Sequence, residues 1–169
     1  RRAYVAAAQG GVWQTENDGA SWTPLTDQLS SLCSGAVALD PDHPDTLFYG
    51  TGEQNYCGDC LYGDGLFRSG DRGATWTKLA VASDVGSYIA RVIVRPREAT
   101  TLFVASERGV VRSGDAGASW QVVLGTGWCN DLVLDAHAPD TMFAAINIRG
   151  IYKSVDGGDS WILLAGALP

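Results

Sequence analysis

Short runs in which apolar side chains alternate with small or polar ones recur along the whole chain, each halted by a turn containing Gly, Asp or Pro. A period of two marks a β-strand, because successive side chains leave the backbone on opposite faces. The runs are of four kinds, following one another in a fixed order. One kind occupies 36–39, 91–94 and 132–134 and ends in a polar turn, such as that from Asp40 to Asp45. A second begins at Leu47, Leu102 and Met142, and a third, at 66–68, 110–112 and 151–153, starts just after a glycine. The fourth begins at a tryptophan, as in 76–79 and 120–123. No stretch carries the 3.6-residue period of an amphipathic helix. The pattern predicts four antiparallel strands per repeat, joined as a meander.

The third and fourth runs are always joined by one octet. It reads Ser69-Gly70-Asp71-Arg72-Gly73-Ala74-Thr75-Trp76, returns at 113–120 and 154–161, and has a weaker copy at 15–22 with Asn17 at the Asp position. Its form fits a tight hairpin turn. Asp71, Asp115, Asp156 and Asn17 can accept hydrogen bonds from turn backbone N–H groups. The glycine two places on supplies a positive φ without steric cost. The closing Trp22, Trp76, Trp120 and Trp161 pack beside the hairpin, where a fully buried ring removes roughly 150–250 Å² from water. At about 25 cal/mol per Å² that is an upper bound of roughly 4–6 kcal/mol per unit.

These tryptophans stand 54, 44 and 41 residues apart, a period suited to propeller blades. The fold class predicted is all-β: one β-propeller region over 1–169, with repeats at roughly 1–30, 31–84, 85–126 and 127–169. The first repeat enters at its second strand (3–6, then 11–14), and 165–169 stop where a further inner strand would be expected to follow. About fifteen strands are therefore expected, as an arc of a larger ring. The octet resembles the Asp box of the bacterial-neuraminidase-repeat β-propellers. That group includes sialidases, xyloglucan-cleaving glycoside hydrolases, sortilin-type receptors and a photosystem II assembly factor. The resemblance implies a propeller; in that group the box is structural and usually lies away from the ligand.

Composition narrows the partners. The chain of 169 residues is 46% hydrophobic, enough for a sizeable core, and no apolar run approaches the ~20 residues of a membrane helix. Its formal charge of −7 argues against nucleic acid and against an anionic membrane surface, since both demand a concentrated basic face. The start shows no signal-peptide core, so any export signal is expected to have been removed or to lie outside this sequence. The localisation expected is extracellular or cell envelope.

In a propeller, the box turns and the Asp-Pro-type turns share one face, and the remaining loops share the other. His43 and His137 fall on the box face as solvated turn residues. The opposite face collects the irregular features, above all the insertion at 50–65. Cys57 and Cys60 lie in that loop, and Cys33 and Cys129 each precede an inner strand. Three readings stay open: a Cys57–Cys60 disulfide clipping the loop, cross-pairing with Cys33 or Cys129, and a zinc site on all four thiolates. Glu53, Asp59, Asp64, Glu107 and Asp131 are read as solvated loop acids, with a hydrolytic pair or a Ca²⁺ site on Asp59 and Asp64 as alternatives. No arginine trio with a Tyr–Glu couple, as a sialidase needs, is recognisable. Tyr56, Tyr62, Tyr88 and Trp128 decorate the same rim, where rings can stack on sugars or peptides. With Glu53 they form the candidate ligand site; the preferred reading has no metal and no cofactor.

The leading expectation is a non-catalytic binding or scaffold propeller that takes glycan or protein through the face bearing loop 50–65. Its first alternative is a fragment of a glycoside hydrolase acting on polysaccharide. A second is a subunit of a propeller assembled from more than one chain.

Overall fold

Each predicted run becomes a strand that pairs with its neighbour in sequence, because a short turn leaves an antiparallel partner close at hand. The computed structural model describes residues 1–54, 60–98 and 100–164. It contains fifteen strands and one single-turn helix among them. Sheet one holds β1 (Ala3–Ala7), β2 (Gly11–Thr15) and β3 (Thr23–Pro24). Sheet two holds β4 (Ser34–Leu39), β5 (Leu47–Thr51), β6 (Leu66–Ser69) and β7 (Thr77–Ala80). Helix α1 (Ala82–Val85) leads into sheet three: β8 (Ile89–Val94), β9 (Leu102–Ser106), β10 (Gly109–Ser113) and β11 (Gln121–Leu124). Sheet four holds β12 (Cys129–Leu134), β13 (Met142–Ile146), β14 (Gly150–Ser154) and β15 (Ile162–Leu163). All four are meanders, three of four strands and the first of three. The chain is an open arc of propeller blades. The helix was not expected; a single turn closed by Gly86 at φ 110° is too short to write a period.

The apolar cores lie between sheets rather than within them. Val12, Tyr49 and Phe67 join sheets one and two, with Tyr4, Val37 and Trp76 packed around them. Phe48 and Leu66 meet Val92, Leu102 and Val104 between sheets two and three. Phe103 and Val110 meet Leu132, Met142 and Ala144 between sheets three and four.

Two local devices repeat. Every inner strand opens with a register shift against its neighbour, at Ser34/Ala36, Ile89/Arg91 and Cys129/Asp131. Such bulges bend a strand and redirect its first side chains. The box is the other. Ser69 Oγ accepts from Gly73 N at 2.8 Å and donates to Asp71 Oδ1 at 2.8 Å, while Asp71 takes Thr75 N at 2.9 Å and Thr75 Oγ1 at 2.6 Å. Ser113 with Asp115 and Ser154 with Asp156 repeat the set. Hydrogen bonds from Thr75, Ser119 and Ser160 bring the three aspartates down to about 2. The tryptophans are less buried than full ring burial would require, and Trp22 is 40% exposed, so the upper bound above is not reached. Trp120 and Trp161 donate their indole N–H to Gly117 O and Gly158 O of their own turns, whereas Trp76 donates across the sheets to Leu25 O.

Candidate functional site

The face opposite the boxes is organised by the limbs of the 50–65 loop. Gly52 N donates to Cys33 O at 2.8 Å, and Gly63 N donates to Ser87 O at 2.8 Å. Gln54 reaches farther, donating from Nε2 to Cys129 O at 2.9 Å and Asn130 Oδ1 at 3.3 Å. One loop thus touches the starts of three inner strands. Thr51, fully buried, locks its base by donating to Gly65 O at 2.7 Å and accepting from Asp64 N at 2.7 Å. Gly52 (φ 90°) permits the approach: a Cβ there would stand 1.8 Å from Ser87 O.

Three aromatic rings converge beside this loop. Tyr88 stands between Tyr62 and Trp128, with centroids 5.2 Å and 5.4 Å away and interplanar angles of 45° and 26°. Tyr62 is 73% exposed and Trp128 42%, so the outer rings offer open surface. Burial, with the neighbouring Tyr62 hydroxyl, pushes the Tyr88 phenol above its ordinary value. Glu107 fixes this ring's backbone, its carboxylate accepting from Ser87 N at 2.6 Å and Tyr88 N at 2.9 Å. Tyr56, with Asp59 and Cys57, lies outside the described residues; the backbone of Glu53 donates to Leu61 O at 3.3 Å.

The rim acids are not merely solvated. Glu107 is a backbone clamp. Asp131 accepts from Arg91 Nε at 2.9 Å and from Leu132 N at 2.9 Å. Asp64 accepts from Lys78 Nζ at 2.5 Å and from Ser30 Oγ, which together hold its carboxyl below the usual range. A general acid needs the opposite, a carboxyl that keeps its proton near neutrality. The thiols are also changed from expectation. Cys33 and Cys129 are free, so neither cross-pairs with the loop. Burial pushes the Cys129 thiol up to about 12, which opposes the thiolate that a zinc ligand must be. Cys60 is engaged with a partner, and the expected bridge to Cys57 lies outside the described residues. Among the described residues, no three His, Cys, Asp or Glu side chains are placed to hold a metal ion.

Sequence reasoning missed Gln54 and the clamp role of Glu107. Gln54 stands in a polar run between Glu53 and Asn55, where nothing local singles it out; the second depends on a contact between strands that no local pattern encodes.

No family model matches the chain. It is 26% identical over 183 residues to the oligoxyloglucan-reducing end-specific xyloglucanase of Emericella nidulans, covering 96% of this chain and 22% of that protein. It is 26% identical over 205 residues to a xyloglucanase of Paenibacillus sp, covering 96% and 20%. Among solved structures it superposes on an ancestral GH74 enzyme with a TM-score of 0.74 at 25% identity, covering 96% of this chain and 22% of that one. The chain spans about a fifth of the length of the curated relatives it matches. These relatives are glycoside hydrolases, which fits the alternative of a glycoside-hydrolase fragment better than the non-catalytic binding or scaffold propeller. No helix among the described residues is long and apolar enough to cross a membrane.

Proposed function

We propose that the chain is a blade segment of a xyloglucanase-like glycoside hydrolase, acting outside the cell, and that it supplies substrate binding rather than the reacting carboxylates. The clustered rings of Tyr62, Tyr88 and Trp128, the last two stacked, carry this reading. Two open rings flank a third whose backbone is clamped, which suits the apolar face of a β-linked sugar chain. Tyr56 and Glu53 would extend the surface along the same loop. Hydrolysis needs two carboxyl groups about 5–9.5 Å apart in separate roles. Asp64, Glu107 and Asp131 are each committed to structural partners. The acid and its companion would then come from Glu53, from Asp59 or from other parts of a longer polypeptide.

Titration of the chain with xyloglucan, followed by tryptophan fluorescence, tests the site. Trp128→Ala should weaken binding roughly tenfold or more, as loss of an interface anchor does. Binding unchanged by Trp128→Ala and by Tyr62→Ala would remove the rim from the reading.

A further inference from the structure

On the box face, ion pairs close the seam between sheets three and four, where Arg112 donates to Asp159 Oδ1 at 2.5 Å and Arg95 pairs with Asp140. The seam between sheets two and three can be matched to it residue for residue. Arg68 stands opposite Phe48 as Arg112 stands opposite Phe103, so the two arginines correspond. Asp159 is the sixth residue of its box, and the box of sheet three has Ala118 there. Asp140 O accepts from Gly157 N just as Thr100 O accepts from Ala116 N, so Thr100 holds the place of Asp140. The earlier seam has thus kept its arginine and lost both acids.

In that seam lies a cavity of about 380 Å³, at the small end of the range for ligand pockets. It sits between two four-stranded sheets inside the arc, each flanked by a further sheet. Phe48, Leu79 and Leu102 give it an apolar wall, and Arg68, His43 and Thr100 a polar one. Arg68 is exposed, and its guanidinium has no ion-pair or hydrogen-bond partner among the described residues. Asp40 also borders the space, but its carboxylate is committed. Its side chain is 5% exposed, accepts from Asp42 N at 2.9 Å and His43 N at 3.1 Å, and lies 3.2 Å from His43 Nδ1. A carboxylate only accepts, so Nδ1 carries the shared proton, and Nε2 has no partner among the described residues.

We propose that this cavity is a second binding site, taking a small organic acid. The ligand's carboxylate pairs with Arg68, and a short apolar body, a ring or a branched chain, lies against Phe48, Leu79 and Leu102. A guanidinium is a planar fork that meets a carboxylate through two parallel N–H···O bonds. The bound acid does for Arg68 what Asp159 does for Arg112 one seam later. A hydroxyl on the body would donate to His43 Nε2. The site is on the box face, away from Tyr62, Tyr88 and Trp128, and stands whether or not those rings take sugar.

Phenylacetate is the probe, titrated into the chain while heteronuclear NMR follows Arg68 Nε and the backbone N–H groups of Thr100 and Ala116. These signals should move and saturate. Acetate lacks the apolar body and phenylacetamide lacks the charge, so each should bind roughly tenfold more weakly or worse. Arg68→Gln has no ion pair to lose, and circular dichroism should show it folded; its affinity for phenylacetate should fall roughly tenfold or more. Ala118→Asp puts back the missing acid on an exposed turn and should lower the affinity as much, by occupying Arg68 from within. Trp128→Ala should leave this binding unchanged. Signals that stay still under phenylacetate overturn the proposal. So does acetate or phenylacetamide binding as well as phenylacetate, or an affinity kept in Arg68→Gln or in Ala118→Asp. Should Arg68→Gln lose its fold, Ala118→Asp alone decides.

Discussion

Asp71, Asp115 and Asp156 show what the box asks of its third residue: an acceptor for the seventh residue's N–H and hydroxyl. Asn17 meets the demand without charge, accepting Ser21 N at 2.9 Å and donating from Nδ2 to Ser21 Oγ at 2.9 Å, so the hydroxyl reverses its role. The consequence is a difference in acid response. Each aspartate sits at about 2 in the fold, below the ~3.9 of an unfolded chain. A lowered native value means the stabilisation is complete above about pH 4 and is lost as pH falls towards 2. Urea melts at pH 5 and pH 2.5 should show the loss, and Asp71→Asn, Asp115→Asn and Asp156→Asn combined should shrink it. An acid loss of equal size in the triple variant would assign it to other carboxylates, such as Asp64. The turn role of these residues could be read from spacing alone because all its bonds are local. The clamp of Glu107 on Tyr88 could not, since it crosses from one strand's end to another's start.

The strands were legible because half-buried sheets print a period of two, and the box tryptophans fixed their order. What the period does not carry is how closely inner strands approach. Gly35, at the bulge that opens β4, lies where a Cβ would be 1.8 Å from Ile89 O and 2.5 Å from Gly52 O. Both obstacles are backbone, so neither can rotate away. Gly35→Ala should cost at least the 1–3 kcal/mol usual for overpacking, roughly, read as a lower urea midpoint. It should also disturb the base of the 50–65 loop, visible as a changed fluorescence of Trp128. At the equivalent bulges β8 and β12 carry Ala90 and Asn130, so the crowding belongs to this one junction. A midpoint unchanged by Gly35→Ala would show that the strands can part without loss. Helix α1 escaped notice for the opposite reason, being a single turn in a linker whose composition suits many shapes.

For the molecule as a whole, placing every core between sheets means that no sheet is stable by itself, and unfolding should be shared. Phe103, fully buried between sheets three and four, is the place to ask. Phe103→Ala should destabilise by about 3–5 kcal/mol, with circular dichroism and tryptophan fluorescence still moving together. Transitions that separate would show the sheets melting one at a time. At this scale the sequence announced a repeating ring-like architecture, and it placed Tyr62, Tyr88 and Trp128 on one rim. It was silent on their mutual stacking and on the pairing of the acids, because both follow from curvature, which no single repeat encodes. That curvature has a restraint of its own in Gln54, which crosses from the second sheet to the fourth above the third. A tie along the chord of an arc acts as a bowstring does on a bow: the sheets beneath it can neither splay nor flatten without first letting it go.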